Sequence, residues 1–332
     1  MGTDVAVREF GVRRLMVPSR ELGEPTDLEI VGRSTAAIEF QRTLERFAAT
    51  DIAVLLEGET GSGKEVAARV LHRRSAKPGR FVPVNMAAIP ADLAEAELFG
   101  ARRGAFTGAD RARTGLIDAA DEGTLFLDEI GDVAAGLQAQ LLRFLESGEV
   151  RAVGSTTTRQ VAARVVSATH RNLREGVRAG WFRLDLYYRL APVVVRVPPL
   201  RERVDDIPLL RRLFEDEVQQ RLGVPRCRWS ADAERALVDH RWPGNIRELR
   251  HVVEVAVITA DGGTVTAEHL GLAGRVGPTI RRWRQATSEC RRDLLVTALQ
   301  RHGGNRTAAA RELGISRQTL HYHLRRLEVG GA

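Results

Sequence analysis

Several residue types are scarce in this chain, and each scarcity narrows what the protein can be. Two cysteines, Cys227 and Cys290, stand far apart among 332 residues without metal-ligand spacing, which argues against a disulfide scaffold or a zinc domain. Apolar runs are short, as at 53–56 and 193–195, and the N-terminus has no apolar signal core. The sequence therefore predicts no membrane partner and a cytoplasmic location.

What is present is an ordinary globular composition with an uneven distribution of charge. Hydrophobic residues make up 43% and charged residues 28% of the chain, and its length suits two or three domains. The net charge is +7, and the segment from 281 to the end has eleven arginines against four acidic residues, so the remainder is neutral. This concentration favours a module that binds a phosphate backbone, because a merely solvated basic tail would lack a folded pattern.

Hydrophobic periodicity divides the chain into five segments. A polar lead-in at 1–28 precedes a region at 29–198 where β-rich runs alternate with amphipathic helical stretches, which predicts an α/β fold with a mainly parallel sheet flanked by helices. A charged helical unit is predicted at 199–262, a linker at 263–288 and a basic all-α module at 289–332. The expected strands are 52–56, 81–85, 124–128, 164–169 and 193–197.

A glycine-rich stretch, "GETGSGKE", follows the first expected strand. Its glycines let successive N–H groups turn toward phosphate oxygens, and the next helix adds its positive N-terminus. The pattern G-x-x-x-x-G-K ends on one of only two lysines among fifty basic residues, and a glutamate replaces the usual Ser or Thr ligand of magnesium. A turn that binds nothing is the alternative. The candidate nucleotide-binding residues are Gly58, Glu59, Thr60, Gly61, Ser62, Gly63, Lys64 and Glu65.

An acidic pair, Asp128-Glu129, ends the apolar run at 124–128. Asp128 is the candidate ligand of Mg²⁺, directly or through water, and Glu129 is the candidate for polarising the water that attacks a phosphate. A plain exit from a strand is the alternative, but the glycine-rich loop upstream favours a paired site.

The stretch "GAFTGA" at 104–109 lies between these two motifs and has neither helical nor strand periodicity. Glycines on both sides free the backbone, and the small neighbours give Phe106 nothing to pack against. We therefore expect this aromatic on a loop with an external partner, whereas a generic hairpin turn is the alternative.

Seven motifs together resemble the AAA+ domain of sigma-54-dependent transcriptional activators, the bacterial enhancer-binding proteins. The resemblance covers about 29–262 and implies an ATPase that uses ATP and Mg²⁺ and forms a ring, commonly a hexamer, with dimers when inactive. In this family a glutamate follows the lysine of the loop, so Glu65 fits the pattern. The motifs are "GETGSGKE", "ELFG", "GAFTGA", "GTLFLDEIGD", "FRLDLYYRL", "PPLRERVDDI" and "WPGNIREL".

The resemblance also implies catalytic roles for single residues. Asn85 matches the switch asparagine that holds the catalytic glutamate, Glu129, away from the nucleotide. Arg183 and Arg189 match arginines that reach into the neighbouring subunit's site, where a guanidinium stabilises charge on the γ-phosphate. Without the motif, either arginine would read as a surface ion-pair residue.

Further positions are implied to bind or sense the nucleotide. Arg247 matches the sensor arginine of the helical lid, and Thr169 lies at the first sensor. Many family members have Thr-Asn there, so His170 departs from the pattern. The implied nucleotide-binding set is completed by Val31 and Gly32.

The family resemblance gives the loop a partner. GAFTGA-type loops grip sigma-54 in the closed complex of its RNA polymerase, and nucleotide hydrolysis selects between raised and lowered loop states. The implied sigma-54 contact residues are Gly104, Ala105, Phe106, Thr107, Gly108 and Ala109.

The basic C-terminal module resembles the Fis-type helix-turn-helix that ends most family members. Asn305 and Ser316 are expected to cap helices, and in the last helix leucines share one face while polar residues share another. That second face is expected in the major groove of an upstream DNA site. The candidate DNA-binding residues are Arg317, Gln318, Thr319, His321, Tyr322 and Arg325.

The short lead-in leaves no room for a sensory domain. We therefore expect constitutive activity or restraint by a separate regulatory protein. Two other functions stay open: a DNA-binding repressor or scaffold that uses nucleotide only to assemble, and another AAA+ machine such as a helicase loader. The intact loop argues against the first, and the terminal helix-turn-helix argues against the second.

Overall fold

The computed structural model describes residues 30–102, 104 and 112–272, with six further positions between 301 and 312. The chain divides into two compact units, 1–270 and 271–332. In chain order the elements of the first unit are α1 Thr35–Ala48, β1 Val54–Glu57, α2 Lys64–Arg73, β2 Phe81–Asn85, α3 Ala94–Phe99, α4 Leu116–Ala119, β3 Thr124–Asp128, α5 Ala135–Ser147, β4 Glu149–Val150, β5 Arg159–Gln160, β6 Arg164–Thr169, α6 Leu173–Arg178, α7 Leu184–Leu190, β7 Val193–Arg196, α8 Ile207–Leu222, β8 Arg228–Trp229, α9 Ala231–Asp239, α10 Asn245–Ala260, β9 Thr264–Val265 and α11 Ala267–Leu270.

A five-stranded parallel sheet in the order β2-β3-β6-β1-β7 forms the centre of the first unit. The predicted α/β fold with a parallel sheet is confirmed. The expected strands at 81–85, 124–128 and 164–169 coincide with β2, β3 and β6, and β1 and β7 lie within two residues of their predicted ends. Continuous apolar runs made these strands predictable, because a parallel sheet covered on both faces needs apolar residues on both.

Both faces of the sheet are buried under helices. Since successive strand residues point to opposite faces, Leu125 and Leu127 enter the core shared with α5 and α7, while Phe126 enters the core shared with α1 and α2. Arg164 begins β6 inside this layer, and its guanidinium donates to the carbonyl oxygens of Phe47 and Ala48 at 2.8 and 2.7 Å. This arginine thereby caps the C-terminal end of α1.

Helices α8 to α11 form the predicted helical lid. Short strands β8 and β9 pair in parallel, and α11 packs on α9 and α10. The sequence placed 264–270 in a linker, but Val265 and Leu270 are buried there. Their two apolar side chains join the helical core, a contact that the glycine-rich local sequence does not reveal.

Two segments with predicted functions are described only in part. The ends of the "GAFTGA" segment lie together, because Ala101 and Arg113 exchange backbone hydrogen bonds of 3.0 and 2.9 Å. Gly104 has a φ of +80°, and among the described residues other than its chain neighbours no heavy atom lies within 4 Å of where a Cβ would be. The positions 105–109 lie outside the described residues.

In the second unit, the side-chain oxygen of Asn305 accepts from the Ala308 amide at 3.2 Å, as expected of a helix cap. The candidate DNA-binding positions from 317 to 325 are not among the described residues. Within the part of the chain that the structure describes, no helix is both long and apolar enough to cross a bilayer.

Candidate active site

The glycine-rich loop joins β1 to α2 at the carboxyl end of the sheet. Gly61 and Gly63 have φ of +78° and +103°, in the left-handed region that favours glycine. Lys64 begins α2 with only 6% of its side chain exposed, and its Nζ donates to the carbonyl oxygens of Gly58 and Glu59 at 3.0 and 3.4 Å. The lysine ammonium is therefore folded back over the loop whose amides are the candidate phosphate ligands.

The loop also lies against the start of α10 in the lid. A Cβ at Gly61 would collide with the carbonyl oxygen of Gly244 and lie 3.0 Å from Cβ of Arg247. The Arg247 amide donates to the Gly61 carbonyl at 3.3 Å. The structure thus places the predicted sensor arginine directly beside the predicted nucleotide loop.

The acidic pair lies at the end of β3, next to the loop lysine. Burial raises the pKa of Asp128, and the negative charge of Glu129 raises it further, against the opposing charge of Lys64. Glu129 has a left-handed φ of 53°, and its amide donates to Asp128 Oδ1 at 3.1 Å. Its Oε1 lies 3.6 Å from Lys64 Nζ. The glycine-rich loop and the acidic pair, whose residues Lys64 and Glu129 are 65 positions apart in sequence, therefore lie next to each other in the fold.

The carboxylate of Glu129 is held mainly by His170. His170 Nδ1 lies 2.7 Å from Glu129 Oε2, and the His170 amide donates to the same oxygen at 3.3 Å. Burial raises the pKa of Glu129, but the hydrogen bond from His170 and the charge of Lys64 outweigh it, so the net pKa lies below the ordinary value. Thr169 next to it is fully buried, and its carbonyl accepts from the Gly58 amide at 3.1 Å.

Asn85, the predicted switch residue, ends β2 opposite Asp128 in the sheet register. Its side-chain oxygen accepts from the Ala87 amide at 3.0 Å. Among the described residues it makes no hydrogen bond to Glu129, whose bonds go to His170 instead.

A polar cluster that the sequence did not reveal links the loop to the lid through one buried residue, Asn245. Asn245 is fully buried with a φ of 53°, and its Nδ2 donates to Glu59 Oε2 and the Thr60 carbonyl at 3.1 and 3.2 Å. Its Oδ1 accepts from the Leu200 amide at 2.8 Å. Arg201 makes two bonds of 2.6 and 2.7 Å to Glu59. The hydrogen bonds of Arg201 and Asn245 lower the pKa of Glu59 to about 2.

One sequence signal points to Asn245, since asparagine after glycine in a turn is a residue type that tolerates left-handed backbone. That signal predicts the left-handed backbone of Asn245 but not its hydrogen bond to Glu59, which lies 186 positions away in sequence. We define Asn245, Glu59 and Arg201 as the loop-lid cluster.

Val31 and Gly32 are fixed by a buried ion pair in front of α8. Arg203 and Asp206 are 2% and 0% exposed, and Arg203 Nε donates to Asp206 Oδ2 at 2.9 Å. A second guanidinium nitrogen of Arg203 donates to the Val31 carbonyl, and a Cβ on Gly32 would meet both charged side chains. The segment before α1 is therefore held in place by the segment before α8.

The two predicted arginines of the "FRLDLYYRL" motif lie on or next to α7. Gln138 of α5 accepts from the Arg183 amide at 2.9 Å, and the Arg183 guanidinium pairs with Asp185 at 2.6 Å. Arg189 Nε lies 3.9 Å from Glu146. Both guanidiniums are about half exposed, and within the described residues neither bonds to the glycine-rich loop.

The side-chain oxygens near the loop could bind Mg²⁺ only if the phosphates of a nucleotide supplied further ligands. Asp128 offers a half-buried carboxylate beside the loop, and the buried Ser62 Oγ has no hydrogen-bond partner. Glu65 is directed to Arg69 at 3.0 Å and is largely exposed. Within the described part of the chain no cluster of three or more side chains could hold a metal. Mg²⁺ commonly takes one or two carboxylates together with substrate phosphates and water, so these residues fit such a shared site.

Comparison with known proteins matches three regions of the chain to known domain families. Residues 30–196 match the sigma-54 interaction domain, 201–278 match an AAA+ ATPase lid domain and 292–327 match bacterial regulatory proteins of the Fis family. The chain is 44% identical over 330 residues to the nitric oxide reductase transcription regulator NorR2 of Cupriavidus necator, covering 90% of this chain and 63% of that protein. It is 44% identical over 297 residues to the transcriptional regulatory protein ZraR of Klebsiella oxytoca, covering 88% and 67%.

A solved structure shows the same fold. NtrX from Brucella abortus in complex with ADP superimposes with a TM-score of 0.69 at 34% identity, covering 91% of this chain and 69% of that one. The ATP complex of the same protein gives a TM-score of 0.69 and covers 90% and 69%.

The fold and site define an AAA+ domain of the ATPase type with a helical lid, followed by a Fis-type DNA-binding module. The chain belongs to the sigma-54-interacting transcriptional regulators of which NorR and ZraR are members, as the sequence motifs indicated. It spans about two thirds of the length of these relatives, and 63% of NorR2.

Proposed function

We propose that this chain is a transcription activator that hydrolyses ATP in an oligomeric ring and uses that energy to remodel the closed complex of sigma-54 RNA polymerase. The convergence of Lys64 and Glu129, 3.6 Å apart at one end of the sheet, carries this proposal. It supports a site in which Lys64 would bind a phosphate and Glu129 would act as the base next to it. The ADP and ATP complexes of NtrX support a nucleotide as the ligand.

The loop residues 58–65 would bind the nucleotide phosphates. The positive end of α2 and its first amides would face the phosphates, and Lys64 Nζ would exchange its bonds to loop carbonyls for bonds to phosphate oxygens. Arg247 lies close enough to the loop to report phosphate state to the lid. Asp128 would hold Mg²⁺, which neutralises charge on the phosphates when bound.

Glu129 would orient the attacking water and accept its proton. Its lowered pKa keeps the carboxylate ionised at neutral pH, the form that a base requires. Arg183, just before α7, and Arg189, on α7, are about half exposed. Both would act on the nucleotide of the neighbouring subunit in a ring, which we propose to be a hexamer. Asn85 would restrain Glu129 in one nucleotide state.

The "GAFTGA" loop would transmit hydrolysis to sigma-54 through Phe106 and Thr107. The two backbone bonds between Ala101 and Arg113 support this role, because they hold the two ends of the segment together. The positions 317–325 would contact an upstream DNA site. We further propose a cytoplasmic location, inactive dimers and restraint by a separate regulatory protein.

Glu129→Gln tests the catalytic step. The amide keeps the shape of the side chain but cannot accept a proton, so ATP should still bind while hydrolysis falls by about 10²-fold or more. Glu122→Gln, the same change on an exposed carboxylate before β3, is the matched control and should hydrolyse ATP at the wild-type rate. Hydrolysis by Glu129→Gln at the wild-type rate would refute the assignment.

Thr107→Ala tests the output loop. This variant should hydrolyse ATP normally but fail to form open complexes on a sigma-54 promoter, measured by a transcription assay with purified components. Thr259→Ala on the exposed side of α10 is the control and should support both steps. Normal transcription by Thr107→Ala would rule out the proposed contact.

A further inference from the structure

The proposed base has a neighbour whose role the proposed mechanism leaves open. Glu129 Oε2 receives two hydrogen bonds from His170, from its Nδ1 at 2.7 Å and from its amide at 3.3 Å. Oε1 of the same carboxylate lies 3.6 Å from Lys64 Nζ. One carboxylate oxygen is thus occupied by the histidine, and the other faces the phosphate-binding lysine.

The direction of the hydrogen bond follows from the chemistry. An ionised carboxylate only accepts, so Nδ1 of His170 must carry the proton, whether the ring is neutral or charged. A bond of this length to an ionised acceptor is charge-assisted and restricts rotation of the carboxylate. Glu129 also has a left-handed φ of 53°, a costly backbone conformation for a residue other than glycine and one that is common at active sites.

The exposure of the His170 side chain indicates that its contact with Glu129 matters little for the stability of the fold. Its side chain is 43% exposed, so the fold gains little from burying it. The structure offers no packing reason for an imidazole at this point, whereas the contact with Glu129 gives a chemical one.

From this geometry we infer that His170 is a positioning residue for ATP hydrolysis. Its Nδ1–H holds Oε2 of Glu129, so that Oε1 is the oxygen directed toward the phosphate site and free to accept the proton of the attacking water. The inference rests on the proposed ATPase function. Asn85 then has no part in fixing the carboxylate in this arrangement.

Substituting His170 with each of the two amide residues, asparagine and glutamine, tests whether a donor at the position of Nδ1 is required or any polar side chain is enough. The side-chain nitrogen of asparagine, bonded to Cγ, occupies the position of Nδ1, whereas that of glutamine lies one bond further out, near Nε2. His170→Asn should therefore keep kcat within about threefold of wild type, while His170→Gln and His170→Ala should lower it by about tenfold or more, within the roughly 10²- to 10⁴-fold range of general-base catalysis. All three should bind a fluorescent ATP analogue with unchanged Kd.

Histidine labelled with ¹⁵N provides a readout that does not depend on activity. The chain has eight histidines, and the signals lost in His170→Asn identify those of His170. In the full-length protein at pH of about 8, where free histidine is neutral, His170 should show the Nδ1–H tautomer. Glu129→Ala should remove that preference.

The outcomes separate the two levels of inference. If wild type has no ATPase activity, or Glu129→Gln retains it, the proposed function is wrong. If Glu129 is essential but His170→Ala or His170→Gln hydrolyses ATP like wild type, His170 does not position it. An Nε2–H tautomer in wild type would overturn the inference on its own.

Discussion

The buried pair Arg203–Asp206 offers the sharpest test of how the nucleotide site is built. Asp206 Oδ1 accepts from the amides of Arg33 and Ser34 at 2.6 and 2.8 Å, and Oδ2 accepts from Ser34 Oγ and Arg203 Nε at 2.8 and 2.9 Å. Both oxygens therefore face donors only. In Asp206→Asn, the new NH₂ group faces donors in either orientation, and Arg203 loses its counter-charge.

The expected loss of stability is large because Arg203 is 2% and Asp206 0% exposed. Breaking a buried ion pair by removing one partner costs about 3–5 kcal/mol, since the remaining charge stays buried. For a domain of this size about 1 kcal/mol corresponds to roughly 2–4 °C, so Tm should fall by about 6–20 °C. ATP affinity should also fall, because Arg203 fixes the Val31 carbonyl.

Urea unfolding, thermal unfolding and nucleotide titration measure these effects. Asp205→Asn is the matched control, since it makes the same change on the adjacent exposed residue and should alter stability by less than about 0.5 kcal/mol. A loss below about 1 kcal/mol in Asp206→Asn would show that the pair does not hold the two segments together.

Three further expectations follow from the site. Asn245→Ala should cost about 1–3 kcal/mol in urea unfolding and weaken ATP binding, because the buried Leu200 amide loses its acceptor and Glu59 loses a donor. Unchanged affinity would exclude the loop-lid cluster from nucleotide binding. The pKa of Glu59 is lowered from 4.5 to about 2, so the stabilisation by Arg201 is complete above pH 4.5 and is lost as the pH falls toward 2. The difference in unfolding free energy between wild type and Glu59→Gln should therefore be constant from about pH 5 to 8 and become smaller below about pH 5. A difference that still changes at about pH 7 would contradict this explanation. Removal of Mg²⁺ with EDTA should abolish ATP hydrolysis, and excess Mg²⁺ should restore it. Asp128→Ala should raise the Mg²⁺ concentration that is required for half-maximal hydrolysis. Full ATPase activity in EDTA would rule out a role for the metal.

Local patterns made the central sheet predictable and pointed to the candidate catalytic motifs. The runs that form β2, β3 and β6 are short and rich in β-branched and other apolar residues, and the glycine loop and the acidic pair are each contiguous in sequence. Their meeting at one end of the sheet follows from parallel strand order. These features need only neighbouring residues to be recognised.

Features that depend on distant partners were not predictable in the same way. Glu59 forms hydrogen bonds with Arg201 and Asn245, which lie 142 and 186 positions away. The residues next to them in sequence do not predict these contacts. His170 stood out only as a departure from a pattern, and its contact with Glu129 required the strand register. Burial of Val265 and Leu270 likewise depends on the surface of α10.

The loop-lid cluster shows that two domains with a boundary in sequence can still stabilise each other through hydrogen bonds across that boundary. The matched domains meet between 196 and 201, yet Arg201 and Asn245 both complete the hydrogen bonding of Glu59 on the other side. Cutting the chain there would strip a carboxylate and a backbone carbonyl of their partners. Amide protons of the glycine-rich loop and of the first turn of α10 should therefore exchange with similar protection, as parts of one cooperative unit.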